Sequence, residues 1–171
     1  MNQDSKKKNA AEAAFSLIKP KLNKDTVLGI GTGSTTNFFI DALNSLNVEI
    51  KGAVCSSISS EKSLSSSLKI LNLNEVHSID FYVDGADEYN DRFELIKGGG
   101  GALTREKILA SSSEKFICIV DDSKNVDLLG KFPLPIEVLE IARSAISRKI
   151  MKMGGKPVYR NSFKTDNGNQ I

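Results

Sequence analysis

Apolar residues fall at helical spacing near the start of the chain, where Ala10, Ala14, Leu17 and Ile18 predict a helix over residues 4–18. Asp4 or Ser5 would cap it, and Lys19-Pro20 would end it. The pattern then changes to short apolar runs, the mark of strands buried on both faces. Residues 26–30, 48–54, 79–83 and 116–120 predict four such strands. Helical stretches lie between them at 35–46, 59–68 and 102–111, the first offering Phe38, Phe39, Ala42, Leu43 and Leu46 for packing.

Strand and helix in alternation predict an α/β fold, a Rossmann-like parallel sheet with helices on both faces. In such sheets ligands bind beyond the carboxyl ends of the strands. The loops at 31–35, 84–88 and 121–124 directly follow strands and are expected to converge on that edge. Two prolines in Lys131-Phe132-Pro133-Leu134-Pro135 predict a rigid crossing between units. The expected division is an α/β domain over 1–130 and the start of a smaller α+β domain over 131–171. The smaller unit would hold a helix at about 140–152, a Gly154-Gly155 stop, a short strand at 158–160 and an Asn167-Gly168 turn. The chain stops at Ile171 just as a strand should leave that turn, so this domain is expected to be incomplete.

Composition narrows the function classes. With 40% hydrophobic and 26% charged residues over 171 positions, the chain has an ordinary globular balance. A net charge of +2, from 23 basic and 21 acidic residues, argues against a dedicated nucleic-acid binder. The one basic run, Lys6-Lys7-Lys8, reads as a solvated helix start. No run of about 18 apolar residues predicts a membrane span, and the N-terminus lacks a signal-peptide core, so a cytoplasmic protein is expected. Cys55 and Cys118 sit in apolar segments and read as buried free thiols in a reducing compartment. His77 is the only histidine and is expected in a surface loop. No metal site and no histidine triad are expected.

Three loops carry the candidate chemistry. Gly29-Ile30-Gly31-Thr32-Gly33-Ser34-Thr35 joins a strand to a helix, where free backbone N–H groups and the helix dipole suit an anion. Ser34 stands where a dinucleotide fingerprint needs glycine, and Gly33 where a Walker loop needs lysine. A small phosphate ester fits better than a nucleotide. Asp84-Gly85-Ala86-Asp87-Glu88 places three carboxylates at a strand end, close enough to shift one another's protonation. Asp84 and Asp87 are candidates for the ligand edge; Glu88 reads equally well as a solvated loop acid. Lys97-Gly98-Gly99-Gly100-Gly101 runs into a firm helix, which suits a backbone wrapped round a ligand better than a free linker. Lys97 could stabilise an oxyanion or simply be solvated. Glu106 could reach back over the loop or decorate the helix surface. A carboxylate base beside a cationic oxyanion stabiliser is what proton abstraction next to a carbonyl requires.

The motifs GIGTGST, YVDGADE, KGGGGALTREK and GKFPLP occur in that order, and with them the chain closely resembles the type A ribose-5-phosphate isomerase family from about Lys7 to Ile171. The resemblance implies an enzyme of the pentose phosphate pathway that interconverts D-ribose 5-phosphate and D-ribulose 5-phosphate through an enediolate, without metal or organic cofactor. It implies substrate binding by Thr32, Gly33, Ser34 and Thr35, by Asp84, Gly85, Ala86 and Asp87, and by Lys97, Gly98, Gly99 and Gly100. Lys124 matches a further substrate-binding lysine, and Lys7 is added for the phosphate. Glu106 matches the catalytic base, with Lys97 steadying the oxyanion and Asp84 or Asp87 aiding ring opening and hydroxyl proton movement.

Two departures stand out. Gly101 occupies a place where many members of the family have alanine, and is expected only to add flexibility. Family members also continue for some tens of residues beyond the TDNGN turn, which implies a truncated small domain here. The family commonly forms homodimers or larger oligomers, so a homodimer or homotetramer is expected, with no nucleic-acid or membrane partner. The alternative is a non-catalytic sugar-phosphate sensor on the same fold. It would account for the phosphate loop but not for Asp84, Asp87, Lys97 and Glu106 together. An amino-sugar phosphate deaminase would want a histidine near the ring, for which His77 is a poor candidate.

Overall fold

Strands that are apolar on both faces need a helical layer on each side. The computed structural model describes residues 2–45, 49–64 and 68–171. Its elements in chain order are α1 (Gln3–Ile18), β1 (Val27–Ile30), α2 (Ser34–Asn44), β2 (Gly52–Cys55), α3 (Ile58–Ser63), β3 (Ile79–Asp84), β4 (Glu88–Tyr89), β5 (Leu95–Ile96), α4 (Leu103–Ser111), β6 (Ser113–Cys118) and α5 (Arg143–Lys152). Four strands form a parallel sheet in the order β2-β1-β3-β6. Leu28, Ile30, Ala53, Phe81 and Val83 point into one core with Ala11, Ala14 and Ile18 of α1 and Phe39, Ile40 and Leu43 of α2. Val27, Val54 and Tyr82 point the other way and meet Leu109 of α4, where Ile79 at the start of β3 joins them out of register with the alternation. The period-two alternation of a strand thus fills both cores.

This order sets the ligand edge. From β1 the chain turns to β2 on one side, and from β3 it turns to β6 on the other. The carboxyl ends of β1 and β3 therefore flank a topological switch point, where the departing loops leave a crevice.

Several elements lie where the sequence pattern does not put them. The cap of α1 is Asn2, whose side chain accepts from Ser5 N at 2.8 Å, not Asp4 or Ser5. Its buried face is Ala11, Ala14 and Ile18, while Leu17 is 55% exposed. An alanine-rich helix offers several near-equivalent stripes, and the edge contact of Phe15 with Phe39 at 6.2 Å goes with this one. α2 begins at Ser34; its expected last residue, Leu46, lies outside the described residues, as do Val48 of the expected second strand and positions 65–67 of the helix expected at 59–68. β2 itself starts only at Gly52, and α3 ends at Ser63 with Leu64 extended. β6 starts three residues before the expected 116, because its edge position lets Glu114 and Lys115 face solvent. The β4–β5 hairpin is absent from the sequence reading.

Beyond residue 130, a 3-10 turn (Glu140–Ala142) leads into α5, which buries none of its residues. Residues 158–160 are not a strand; Arg160 N donates to Ile171 O, and Val138 bridges Gln170. Glu137 gathers this segment by accepting from Thr165 Oγ1 at 2.6 Å, from Asn169 Nδ2 at 2.8 Å and from Thr104 Oγ1 of α4. No helix among the described residues is long and apolar enough to cross a membrane.

Candidate active site

Beyond the ends of β1 and β3 lies a cleft of about 270 Å³. Its first wall is the turn into α2. Gly31 N donates to Val83 O at 2.9 Å, drawing the two strand ends together. A Cβ at Gly31 would run into the Asp84 carboxylate, so this position requires glycine. Gly33 has φ +114 and precedes the helix. Asn37 is the first amide of the turn to find a partner behind it, Gly33 O at 3.0 Å. The N–H groups of Ser34, Thr35 and Thr36 face the crevice end of α2 without helical acceptors, which makes an anion cradle.

Asp84 closes β3 and is 1% exposed. Its Oδ1 accepts from Thr32 N at 3.0 Å and Gly85 N at 2.8 Å. Its Oδ2 accepts from Tyr82 OH at 2.6 Å and Lys97 Nζ at 2.8 Å. Four donors satisfy this buried carboxylate and make it the joint between the first and third loops. Tyr82 escaped the sequence reading, although its spacing of two from Asp84 on one strand was a usable signal. Burial, and then the Asp84 charge, push its phenol far above the ordinary range.

The β4–β5 hairpin brings Lys97 back to this point. Glu88 pairs with Ile96, and Asp87 N donates to Ile96 O at 2.8 Å, so the residues on either side of the hairpin meet. Lys97 also donates to Gly85 O and lies 3.2 Å from Glu106 Oε2. Burial pulls the Lys97 ammonium down, but the carboxylates of Asp84 and Glu106 outweigh it and hold the group above its ordinary value. Glu106 sits in the first turns of α4 and is 6% exposed. Among the described residues its Oε2 has no hydrogen-bond partner, and Lys97 stands beside it as an ion-pair contact. Burial, then the nearby Asp84 charge, raise the Glu106 carboxyl to about 7, against a smaller downward pull from Lys97. A half-ionised buried carboxyl open to a cleft is suited to take and return a proton near neutral pH.

Asp87 is half-buried, and its Oδ2 accepts from Gly99 N at 2.8 Å. Gly98, Gly99 and Gly100 complete that wall, together with Ala86 and Gly85. On the far rim, α1 docks on the turn Asp122–Lys124 through a 2.6 Å ion pair between Lys6 and Asp122. That contact carries Lys7 and Lys124 to the cleft. Burial opposes the charge of Asp121, yet hydrogen bonds from Ser123 and the charges of Lys7 and Lys124 hold its carboxyl below the usual range.

The structure therefore gathers Lys7, the 32–35 turn, the 84–87 loop, Lys97 with its glycines, Glu106 and Lys124 round one cavity. Gln3 and Thr36 also line it, and neither has a sequence signal beyond its neighbours. Glu88 does not: it is buried and accepts from Gly130 N at 2.8 Å and from Phe132 N, anchoring the chain before the proline crossing. It is neither a solvated acid nor a cleft residue. Gly101 is also more than a flexible extra, having φ +96 and Phe163 packed where a Cβ would lie. Among the described residues no group of three or more His, Cys, Asp or Glu is placed to hold a metal ion.

Comparison with known proteins agrees with this geometry. The family model of ribose 5-phosphate isomerase A (phosphoriboisomerase A) matches residues 52–171. The crystal structure of ribose 5-phosphate isomerase A from Neisseria gonorrhoeae is 50% identical, covers 99% of this chain and 75% of its own, and superposes with a TM-score of 0.92. A D-ribose-5-phosphate isomerase solved in complex with phospho-erythronic acid is 38% identical over 100% of this chain and 78% of its own, with a TM-score of 0.90. The enzyme from Plasmodium falciparum is 33% identical over 98% and 77%, with a TM-score of 0.83. With this fold, this cleft and these matches, the chain belongs to the ribose 5-phosphate isomerase A family.

Proposed function

We propose that the cleft interconverts D-ribose 5-phosphate and D-ribulose 5-phosphate, with Glu106 as the base. One observation carries the assignment of the base: a buried carboxyl poised at about 7, 3.2 Å from a lysine ammonium, opens on a cavity that also holds an anion cradle. The phosphate sits on the amides of the 33–36 turn, with Lys7 and Lys124 supplying charge from the opposite rim. The sugar opens to its aldehyde, aided by Asp87, which keeps one oxygen outside the Gly99 hydrogen bond. Glu106 removes the C2 proton; the electron pair forms the C1–C2 double bond and O1 becomes an oxyanion facing Lys97. Glu106 then returns its proton to C1 while the O2 proton passes to O1, leaving the ketone at C2. Asp84, with all four donors in place, holds Lys97 rather than moving protons itself.

Proton NMR of ribose 5-phosphate with this chain in deuterated water tests the reading. Ribulose 5-phosphate carrying deuterium at C1 is the expected product. Binding without turnover or exchange would make the cleft a sugar-phosphate sensor instead. Phospho-erythronic acid, the ligand of the solved relative, is expected to compete with substrate. The same proposal places the protein in the cytoplasm, supported by two free cysteines. It treats residues 131–171 as a second, smaller unit beside the 1–130 domain. It also takes the protein to be a homodimer or homotetramer, supported by exposed Ile141, Met153 and Val158 on that unit.

A further inference from the structure

Four successive glycines have the greatest backbone freedom a chain can offer, yet the 98–101 run takes one shape. On the cleft side, Gly99 N donates to Asp87 Oδ2 at 2.8 Å. On the outer side, Gly99 O accepts from Arg160 Nη1 at 2.7 Å. Both backbone groups of Gly99 are thus engaged, and with them the torsions on either side of its Cα. The Arg160 guanidinium lies 3.6 Å from the centroid of the Phe163 ring, a stacked cation–π contact. Phe163 in turn packs against Gly101, where a Cβ would lie 2.9 Å from its Cζ. Asp166 N donates to Gly101 O at 3.0 Å, and Arg105 of α4 ties the same turn through Asn167 Oδ1 at 2.8 Å. Arg160 does not line the cleft, so its charge is not a ligand contact.

We propose that Arg160 is a positioning residue for the isomerisation: stacked on Phe163, it fixes the Gly99 carbonyl and so holds the Gly99 amide against Asp87. The inference rests on the isomerase reading above for its kinetic consequence, but not for its structural one. Without Arg160, the glycine run regains freedom and the Asp87 carboxylate loses the amide that orients it. The effect on catalysis passes chiefly through Asp87, the side chain that the Gly99 amide orients.

Two measurements test this in the full chain. Amide hydrogen exchange at Gly99, followed by NMR without ligand, should quicken about tenfold in Arg160→Ala. Turnover of ribose 5-phosphate should lose about tenfold in kcat/KM in the same variant, and less than about twofold when Asp87→Ala is already present. Arg160→Lys can still reach Gly99 O but cannot stack as a plane, and should fall between the two. If Arg160→Ala does not fold, Phe163→Leu keeps the arginine and removes the stack, with a loss of about threefold that again vanishes beside Asp87→Ala. Unchanged Gly99 exchange, or a kinetic loss of equal size with and without Asp87, overturns the proposal. A parent chain without turnover would count against the isomerase reading, while faster Gly99 exchange in Arg160→Ala would still support the role of Arg160.

Discussion

The turn after β1 and the glycine run before α4 look alike in sequence. Each is rich in glycine, each opens a helix, and each lines the cleft. They are built differently. The first takes its shape from neighbours in the sheet: Gly31 is pinned by Val83 O and crowded by Asp84, both on the adjacent strand. The second takes its shape from residues far along the chain, with Asp87 on one side and Phe132, Arg160, Phe163 and Asp166 on the other. One loop is a consequence of strand order. The other depends on a segment with little core of its own, since α5 buries no residue.

The two loops converge on Glu106, so the largest effect expected comes from removing it. Glu106→Gln keeps the shape and abolishes the base, with kcat falling by about 10²–10⁴-fold while phospho-erythronic acid still binds. Near-normal turnover would detach both loops from the chemistry assigned to them. Because burial of the charge is unfavourable, the same variant should melt no lower than the parent at pH 8.

Breaking the first loop from within comes next. Gly31→Ala drives a methyl into the Asp84 carboxylate and should cost about 1–3 kcal/mol in urea unfolding, together with most activity. An unperturbed variant would show that the strand ends yield as easily as the glycine run.

Protonation sharpens the picture of the joint between the loops. The Glu106 carboxyl is raised from 4.5 to about 7, so kcat/KM should rise about tenfold per pH unit below that point and level above it. Between pH 4.5 and 7 the folded chain keeps a proton that the unfolded chain has lost. This group's contribution to stability therefore declines as pH rises through that window. Lys97 pulls the carboxyl downward, so Lys97→Met should move the Glu106 midpoint upward in a carbon NMR titration. A midpoint that stays or falls would mean that the ion pair does not form.

The smallest effects separate neighbours within the second loop. Gly101 has φ +96 and Phe163 in the way, so Gly101→Ala should cost about 1–2 kcal/mol. Gly100 has open space around it, and Gly100→Ala should stay within about 0.5 kcal/mol in unfolding free energy. Equal costs at the two positions would argue that the outer clamp is loose.

Much of this was legible along the chain because it is local. Apolar runs announced β1 and β3, and the glycine, acid and lysine clusters at their ends announced the cleft, since a parallel sheet must present those ends together. The buried face of α1 was legible only in part: Ala14 and Ile18 lie on it but Leu17 does not, because alanines tolerate several rotations and Phe39, from another element, favours one. The start of β6 was not legible, because its edge position releases it from the apolar pattern. Glu88 shows the same limit: no spacing rule says that a loop acid will be buried against the amides of Gly130 and Phe132.

Residue type and local order specified a parallel α/β sheet, a phosphate-sized cradle and a set of acids and lysines at one edge. Their division of labour came from contacts between distant residues. Asp84 became a saturated anchor because Tyr82, Thr32, Gly85 and Lys97 all donate to it. Glu106 reached a proton affinity near neutrality because folding took it out of water and set it near the carboxylates of Asp84 and Asp87 and the Lys97 ammonium. Helix and strand preferences act over a few residues and can be read in order; burial and electrostatic fields are sums over neighbours in space, and those neighbours exist only once the chain has folded.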